Sequence, residues 1–293
     1  MVVSSRRATT LLVCALSAFA AASCDDGPPP APVAHDSHLA PEPGVLRLAG
    51  TGAMTSIAVE IARAWAASHR DRAVIVEPSV GSTGGVRAAA DGAVDLGMIA
   101  RPLSQREQNL GLVLLPIARD AVVIAAHPSV RIDALSAAEL TEILWGRRAS
   151  FADGSPLTML LRDPDDTAHA ALEAWIPALH EAREHAYRTR RFRVLSHDDA
   201  MAEALMVTPG AIGPFSLGAI SSGKLPLKAL GLDGVSPSVA AMQDGRWKAT
   251  RGLSLVVRAD RMARVRDLLS FIASAQGAAL LREHGYLPAS EQR

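Results

Sequence analysis

Three short stretches carry residue types suited to holding a negatively charged group. Gly50-Thr51-Gly52-Ala53-Met54 and Gly81-Ser82-Thr83-Gly84-Gly85 set glycines and hydroxyls just ahead of helical patterns. Arg162-Asp163-Pro164-Asp165-Asp166-Thr167 adds a guanidinium and carboxylates ahead of a third. A glycine turn feeding a helix start presents free backbone N–H groups, a favourable dipole and no side chains to keep a ligand away. Hydroxyls and N–H groups suit a dehydrated oxyanion because they donate without net charge, and Arg adds a bidentate charged contact.

These loops need strands and helices to hold them. Val45–Ala49 reads as a strand, followed by the first turn and a helix over Ile57–Ser68 that Thr55 or Ser56 can cap. Ala73–Glu77 is the next strand, then the Gly81 turn, a helical segment from Val86 to about Ala90, and a buried strand over Val94–Ile99 ending at Arg101-Pro102. Strand, turn and helix in alternation predict an α/β fold with a parallel sheet. Further on, Leu112–Ala118 and Ala121–Ala125 read as strands interrupted at Arg119-Asp120, and Ser136 can cap a helix over Ala137–Leu144. Leu157–Leu161 is a strand leading into the Arg162 loop. Ala168–Ala186 is a helix that Pro177 should kink or divide. Arg193–Leu195, Ala211–Ser216 and Leu253–Val257 complete the strands; His197–Met206 and Arg261–Glu283, broken near Gly277, complete the helices. Loops at strand C-termini meet if both regions of the chain face one cleft.

Other chemistries fit less well. Gly50-Thr51-Gly52 lacks the third glycine of a dinucleotide fingerprint, and Glu77 is late for a ribose-binding acid. His180 and His185 are five residues apart, on different helix faces, so they do not form a zinc pair. Arg188–Arg193 interleaves Tyr187 and Phe192 with basic residues, but the net charge of the 293-residue chain is zero, which favours a surface connection over a nucleic-acid contact. No nucleophile elbow, phosphate-binding Lys motif or catalytic triad is recognisable. The expectation is a binding protein without cofactor, metal or catalytic residues.

The first residues form a targeting segment: Arg6 and Arg7, an apolar run over Thr9–Ala22, then Ala21-Ala22-Ser23-Cys24. Small residues before a Cys resemble a bacterial lipobox, with residues 1–23 removed and Cys24 lipidated; the alternative is a plain signal peptide cut near Ala22 or Ser23. Cys14 would leave with the signal, so the mature chain could form no disulfide. Residues 24–44 are then the anchor and a Pro-rich linker reaching roughly 60 Å at about 3.1 Å per residue. His35 and His38 within it read as solvated.

In order along the chain, several segments resemble phosphate-type substrate-binding proteins of ABC importers. Gly50–Trp65 resembles their GSxTM…W opening, Gly81–Leu103 their GSGTG…G.VDI..ASRPL segment, and Leu115–Ala121 their hinge strand. Leu135–Gly146 is similar to LSxxEL..IFxG and Pro209–Gly213 to PGAIG, so the resemblance spans about residues 45–290. It implies a two-lobed clamshell (periplasmic-binding-protein type II) with two hinge strands near Asp120 and Thr250. Lobe 1 would be 45–120 plus 250–293 and lobe 2 would be 121–249. The implied ligand-binding set is Thr51, Gly52, Ala53, Ser82, Thr83, Ala100, Arg162, Asp165 and Thr167. The implied partners are a small oxyanion, phosphate foremost, and an ABC permease, for a monomeric, exported, membrane-anchored periplasmic lipoprotein. Ala53 and Ala100 stand where the family has Thr and Ser, and Asp165-Asp166-Thr167 with Pro164 replaces its GSGT loop. Each lost donor to a charged ligand costs about 1.5–3 kcal/mol. Asp165 or Asp166 could accept the proton of a monohydrogen oxyanion, and Asp166 could equally cap a helix. The alternative is the same clamshell binding a different ligand or serving a signalling or partner-binding role.

Overall fold

The computed structural model describes residues 43–291. The export segment, Cys14, Cys24 and the linker histidines lie outside the described residues. β1 (Val45–Gly50) ends at Gly50, and α1 (Gly52–Ser68) starts two residues on, with Thr51 at the N-cap. The helix therefore begins before Thr55 and Ser56 rather than after them. It buries Ile57, Ile61 and Trp65 on one face, the 3–4 spacing that makes a helix amphipathic. β2 (Ala73–Val76), α2 (Gly81–Ala90) and β3 (Leu96–Ile99) follow. α2 includes the glycine turn itself. Gly85 lets it lie against β1, since a Cβ there would come within 2.8 Å of the Gly50 Cα.

β4 (Leu112–Ala126) runs unbroken through Arg119-Asp120, where an interruption was expected. β5 (Ala134–Leu135) precedes α3 (Ala137–Leu144), which opens on a capping box: Ser136 Oγ accepts from Glu139 N–H while the Glu139 carboxylate accepts from Ser136 N–H. β6 (Thr158–Arg162) leads to α4 (Thr167–Trp175) and α5 (Leu179–Arg188), the pair into which Pro177 divides the helical pattern. β7 (Arg193–Leu195), α6 (Asp198–Val207) and β8 (Ala211–Ser216) come next. The sequence patterns did not reveal α7 (Leu217–Ser222), β9 (Lys228–Leu232) or α8 (Val239–Gln243). β10 (Thr250–Arg258), α9 (Met262–Ala273), α10 (Ala275–Glu283) and β11 (Leu287–Pro288) complete the set. The break between α9 and α10 falls at Ser274, whose Oγ caps α10 by accepting from Gly277 N–H.

The strands run in the order β2-β1-β3-β10-β4-β8-β6-β7. β1, β2 and β3 are mutually parallel, as are β6, β7 and β8, but β10 and β4 are antiparallel to each other and to their outer neighbours. The sheet is therefore mixed, not wholly parallel: each set of βα units keeps its parallel strands, and two long strands join them. The apolar core divides at the same place. One pair of clusters draws on residues between Leu46 and Ala118 and between Leu253 and Tyr286, and the other cluster on Ala121–Ala249 with Leu287.

At the division, Asp120 is wholly buried. Its carboxylate accepts from Ser216 Oγ at 2.9 Å, Gly218 N–H at 3.3 Å and Arg251 Nε at 3.1 Å. Burial pushes the Asp120 carboxyl up, opposed by the Arg251 charge and by the bonds from Ser216 and Gly218. Those partners are why the chain can carry a charge through the middle of β4: a buried ion is tolerated when paired and hydrogen-bonded. Among the described residues, no helix is long and apolar enough to cross a membrane.

Candidate functional site

A cavity of about 310 Å³ opens where four helices begin. Thr51 at the head of α1, Val80–Ser82 at α2, Asp166–Thr167 at α4 and His197–Asp198 at α6 all line it. Each helix start offers N–H groups without an intrahelical acceptor and the positive end of its dipole, an arrangement whose four contributions would all favour an anion. Thr51 donates its N–H to Met98 O at 3.0 Å, and its side chain makes no capping bond. Ser82 Oγ accepts the Ala100 N–H at 3.1 Å, which leaves its own proton for another acceptor.

Arg162 ends β6 at the cavity floor and is only 4% exposed. Its Nε and Nη2 donate to Asp166 Oδ2 at 2.9 and 2.7 Å, and Nη2 lies 3.5 Å from Asp198 Oδ2. Among the described residues its buried Nη1 has no hydrogen-bond partner. Behind it, Tyr187 Oη donates to the Arg162 carbonyl and lies 2.9 Å from His169 Nε2. Burial keeps the His169 imidazole below its ordinary value and pushes the Tyr187 phenol up to about 12, so both are neutral supports at pH 7.

Arg251, from β10, is the second buried guanidinium. It donates to Asp120 through Nε and to Thr167 Oγ1 through Nη1 at 3.2 Å, and it lies 3.8 Å from Asp166 Oδ1. Burial opposes its charge, but Asp120, Asp166 and Asp198 outweigh that and hold it above the usual range. Asp166 is the mirror case: burial works against the carboxylate, while Arg162 and Arg251 hold it below the usual range. It also caps α4, accepting Ala168 N–H at 2.9 Å. Arg101 reaches the rim, where it grips Glu107 through two bonds of 2.7 Å and donates to Thr83 Oγ1 at 3.0 Å.

Of the residues expected from the sequence, Thr51, Ser82, Thr83, Arg162, Asp165 and Thr167 share this cavity. Three others do not line it. Gly52 lies beneath Asp198, where an added Cβ would sit 2.5 Å from the carboxylate Oδ2. Ala53 is 1% exposed in the core, its carbonyl accepting from Tyr286 Oη at 3.0 Å. A hydroxyl grafted there would enter the core and not the cavity, although the N–H groups of Gly52 and Ala53 remain part of the α1 terminus. Ala100 borders a separate groove of about 570 Å³. Sequence reasoning missed Arg251 and Asp198. Both are distant in the chain from the three loops, and their only local mark was a charged residue next to a strand or helix start.

The cavity carries charges of both signs. Arg101, Arg162 and Arg251 line the cavity, but so do Asp163, Asp165, Asp166 and Asp198. Asp198 takes the position above Gly52 that an anion at the α1 terminus would seek.

The family model for the PBP superfamily domain matches residues 37–276. The phosphate-binding protein PstS 2 of Streptococcus agalactiae is 27% identical over 110 residues, 38% of this chain; the match spans 37% of that relative's length. Among solved structures, a protein of Clostridium perfringens assigned as a phosphate ABC transporter substrate-binding protein, with bound phosphate, superposes with a TM-score of 0.71 at 17% identity, covering 84% of this chain and 99% of that one. An ABC-type phosphate transport receptor of Vibrio cholerae superposes with a TM-score of 0.56 at 18% identity, covering 83% and 99%. At these identities the structural likeness is one of fold, and the fold is that of two-lobed periplasmic binding proteins. With its two cores, its two connecting strands and a family match over most of its length, the chain belongs to the PBP superfamily.

Proposed function

We propose that the protein is an extracytoplasmic receptor that holds phosphate or a related small oxyanion between two lobes for ABC-type import, with no turnover of the ligand. The observation that carries this is Arg162. Arg162, 96% withdrawn from solvent, lines a cavity onto which four helix N-termini open, and among the described residues its buried Nη1 has no acceptor. A buried unsatisfied donor of this kind costs on the order of 1–3 kcal/mol, more for a charged group, and an oxyanion would satisfy it. Thr51, Ser82, Thr83 and Thr167 supply hydroxyls around the same space. On this reading lobe 1 comprises 45–120 and 250–293, lobe 2 comprises 121–249, and β4 and β10 form the hinge. Cys24 carries the lipid that tethers a monomer beside its permease.

Calorimetry on ligand-stripped protein with phosphate, sulfate, molybdate and organic phosphates tests the reading. Binding of at least one anion is expected, reduced at least a hundredfold in Arg162→Met. Failure of every small anion to bind would sink it. The altered-pocket alternative draws its support from Asp166 and Asp198, which already engage Arg162. It predicts that inorganic phosphate binds poorly while some other ligand binds well.

A further inference from the structure

The space next to the anion cavity is larger than a bare oxyanion needs. The groove of about 570 Å³ is walled mainly by apolar atoms and shares Arg101, Thr167 and Arg251 with the 310 Å³ cavity, so the two adjoin at those residues. One wall is the face of α4 carrying Thr167, Ala170, Ala171 and Ala174, which the 3–4 spacing puts in one line. The other wall is formed by β4 and β10, with Leu114, Pro116 and Gly252. Leu114 is 39% exposed, and Ala170, Ala174 and Pro116 are exposed as well, so the chain leaves this apolar surface uncovered. Ala100 borders the groove with a methyl group, while its N–H is committed to Ser82.

α4 sets the geometry. Its N-terminus, at Thr167, faces the anion cavity, and its side runs along the groove. From Thr167 to Ala174 the helix rises about 10 Å at roughly 1.5 Å per residue. A ligand lying along α4 would put an anionic head at its positive end and an apolar body beside Ala170 and Ala174. The cavity and groove together fall in the size range of sites for organic ligands, and an inorganic ion would leave the groove wet and its apolar walls unused.

We propose that the ligand is an oxyanion bearing a compact apolar substituent, a phosphonate or phosphomonoester with an aryl or short alkyl group, whose substituent occupies the groove between α4 and the paired strands β4 and β10. This rests on the reading of the Arg162 cavity as an anion site, and it narrows the ligand class for that site.

Calorimetry on the ligand-stripped protein would compare inorganic phosphate, methylphosphonate, phenylphosphonate and uncharged benzamide. Phenylphosphonate is expected to bind at least tenfold tighter than methylphosphonate or phosphate, and benzamide not measurably. In Ala174→Phe, which fills the groove from an exposed helix position, the ratio of phenylphosphonate to phosphate affinity should fall at least tenfold. Ala170→Leu provides a second, smaller filling if the first variant melts early. If phosphate or methylphosphonate binds as tightly as phenylphosphonate, or if the ratio is unchanged in both variants, the inference is overturned while the anion-receptor reading stands. If benzamide binds as well as phenylphosphonate, the groove works without the anion site and the inference fails. If none of the anions binds, both readings fall together.

Discussion

Asp198 offers the sharpest test of how this cavity treats an incoming anion. Its carboxylate stands over Gly52 at the first turn of α1 and lies 3.5 Å from Arg162 Nη2. An oxyanion reaching the same helix terminus would come within about 6 Å of it. At an effective dielectric constant of about 20, two unit charges about 6 Å apart repel by about 3 kcal/mol. Arg162 neutralises part of that, so about half is a fair allowance for the net penalty, or close to a factor of ten in affinity. Asp198→Asn keeps the shape and adds a donor. Calorimetry with phosphate at about pH 5.5, where the singly charged ion dominates, should therefore show the variant binding about ten- to a hundredfold tighter than the native protein. Weaker binding in the variant would refute the reasoning, because it would mean that the carboxylate receives a proton from the ligand instead of repelling it. An unchanged affinity would place the anion elsewhere in the cavity.

Two further outcomes concern the scaffold. The bonds from Arg101 hold the Glu107 carboxyl down from 4.5 to about 2, so its contribution to stability is complete above the unfolded value and is lost as pH falls from 4.5 toward 2. Urea unfolding at several pH values should show native protein more stable than Glu107→Gln at pH 7, with the gap closing below pH 4; a gap independent of pH would contradict the pairing. At Gly218 an added Cβ would lie 2.1 Å from the Tyr286 ring, which is fully buried. Gly218→Ala should destabilise the fold by about 1–3 kcal/mol, read by calorimetry as a melting point lower by several degrees. An unshifted melting point would show that the ring can move aside.

Much of the scaffold is legible in the sequence, because glycine turns, capping residues and the 3–4 spacing of apolar side chains act locally. Ser136 and Pro177 behave as local rules require. What stayed hidden depends on distant partners. Arg119-Asp120 reads as a break in a strand, since a buried charge is costly. The strand continues because Ser216, Gly218 and Arg251, roughly a hundred residues or more away, supply Asp120 with donors. The short elements between Leu217 and Gln243 have too few residues to establish a period. In the cavity, the three loops could be named from their glycines and hydroxyls. Ala53 enters the implied set through a motif resemblance, which says nothing about which way a helix turns its methyl group. Arg251 becomes a wall of the cavity only through the register that pairs it with Asp120.

That register ties together two properties that a protein engineer would prefer to vary separately. Arg251 braces the crossing of the two long strands with one nitrogen and faces the pocket with the rest of its side chain. Changing it to retune ligand choice would loosen the pairing of β4 with β10, which the proposed function makes the hinge. Variation in selectivity should therefore accumulate first at positions such as Asp165 and Ser79, which border the pocket without holding the joint, while Arg251 and Asp120 change together or not at all.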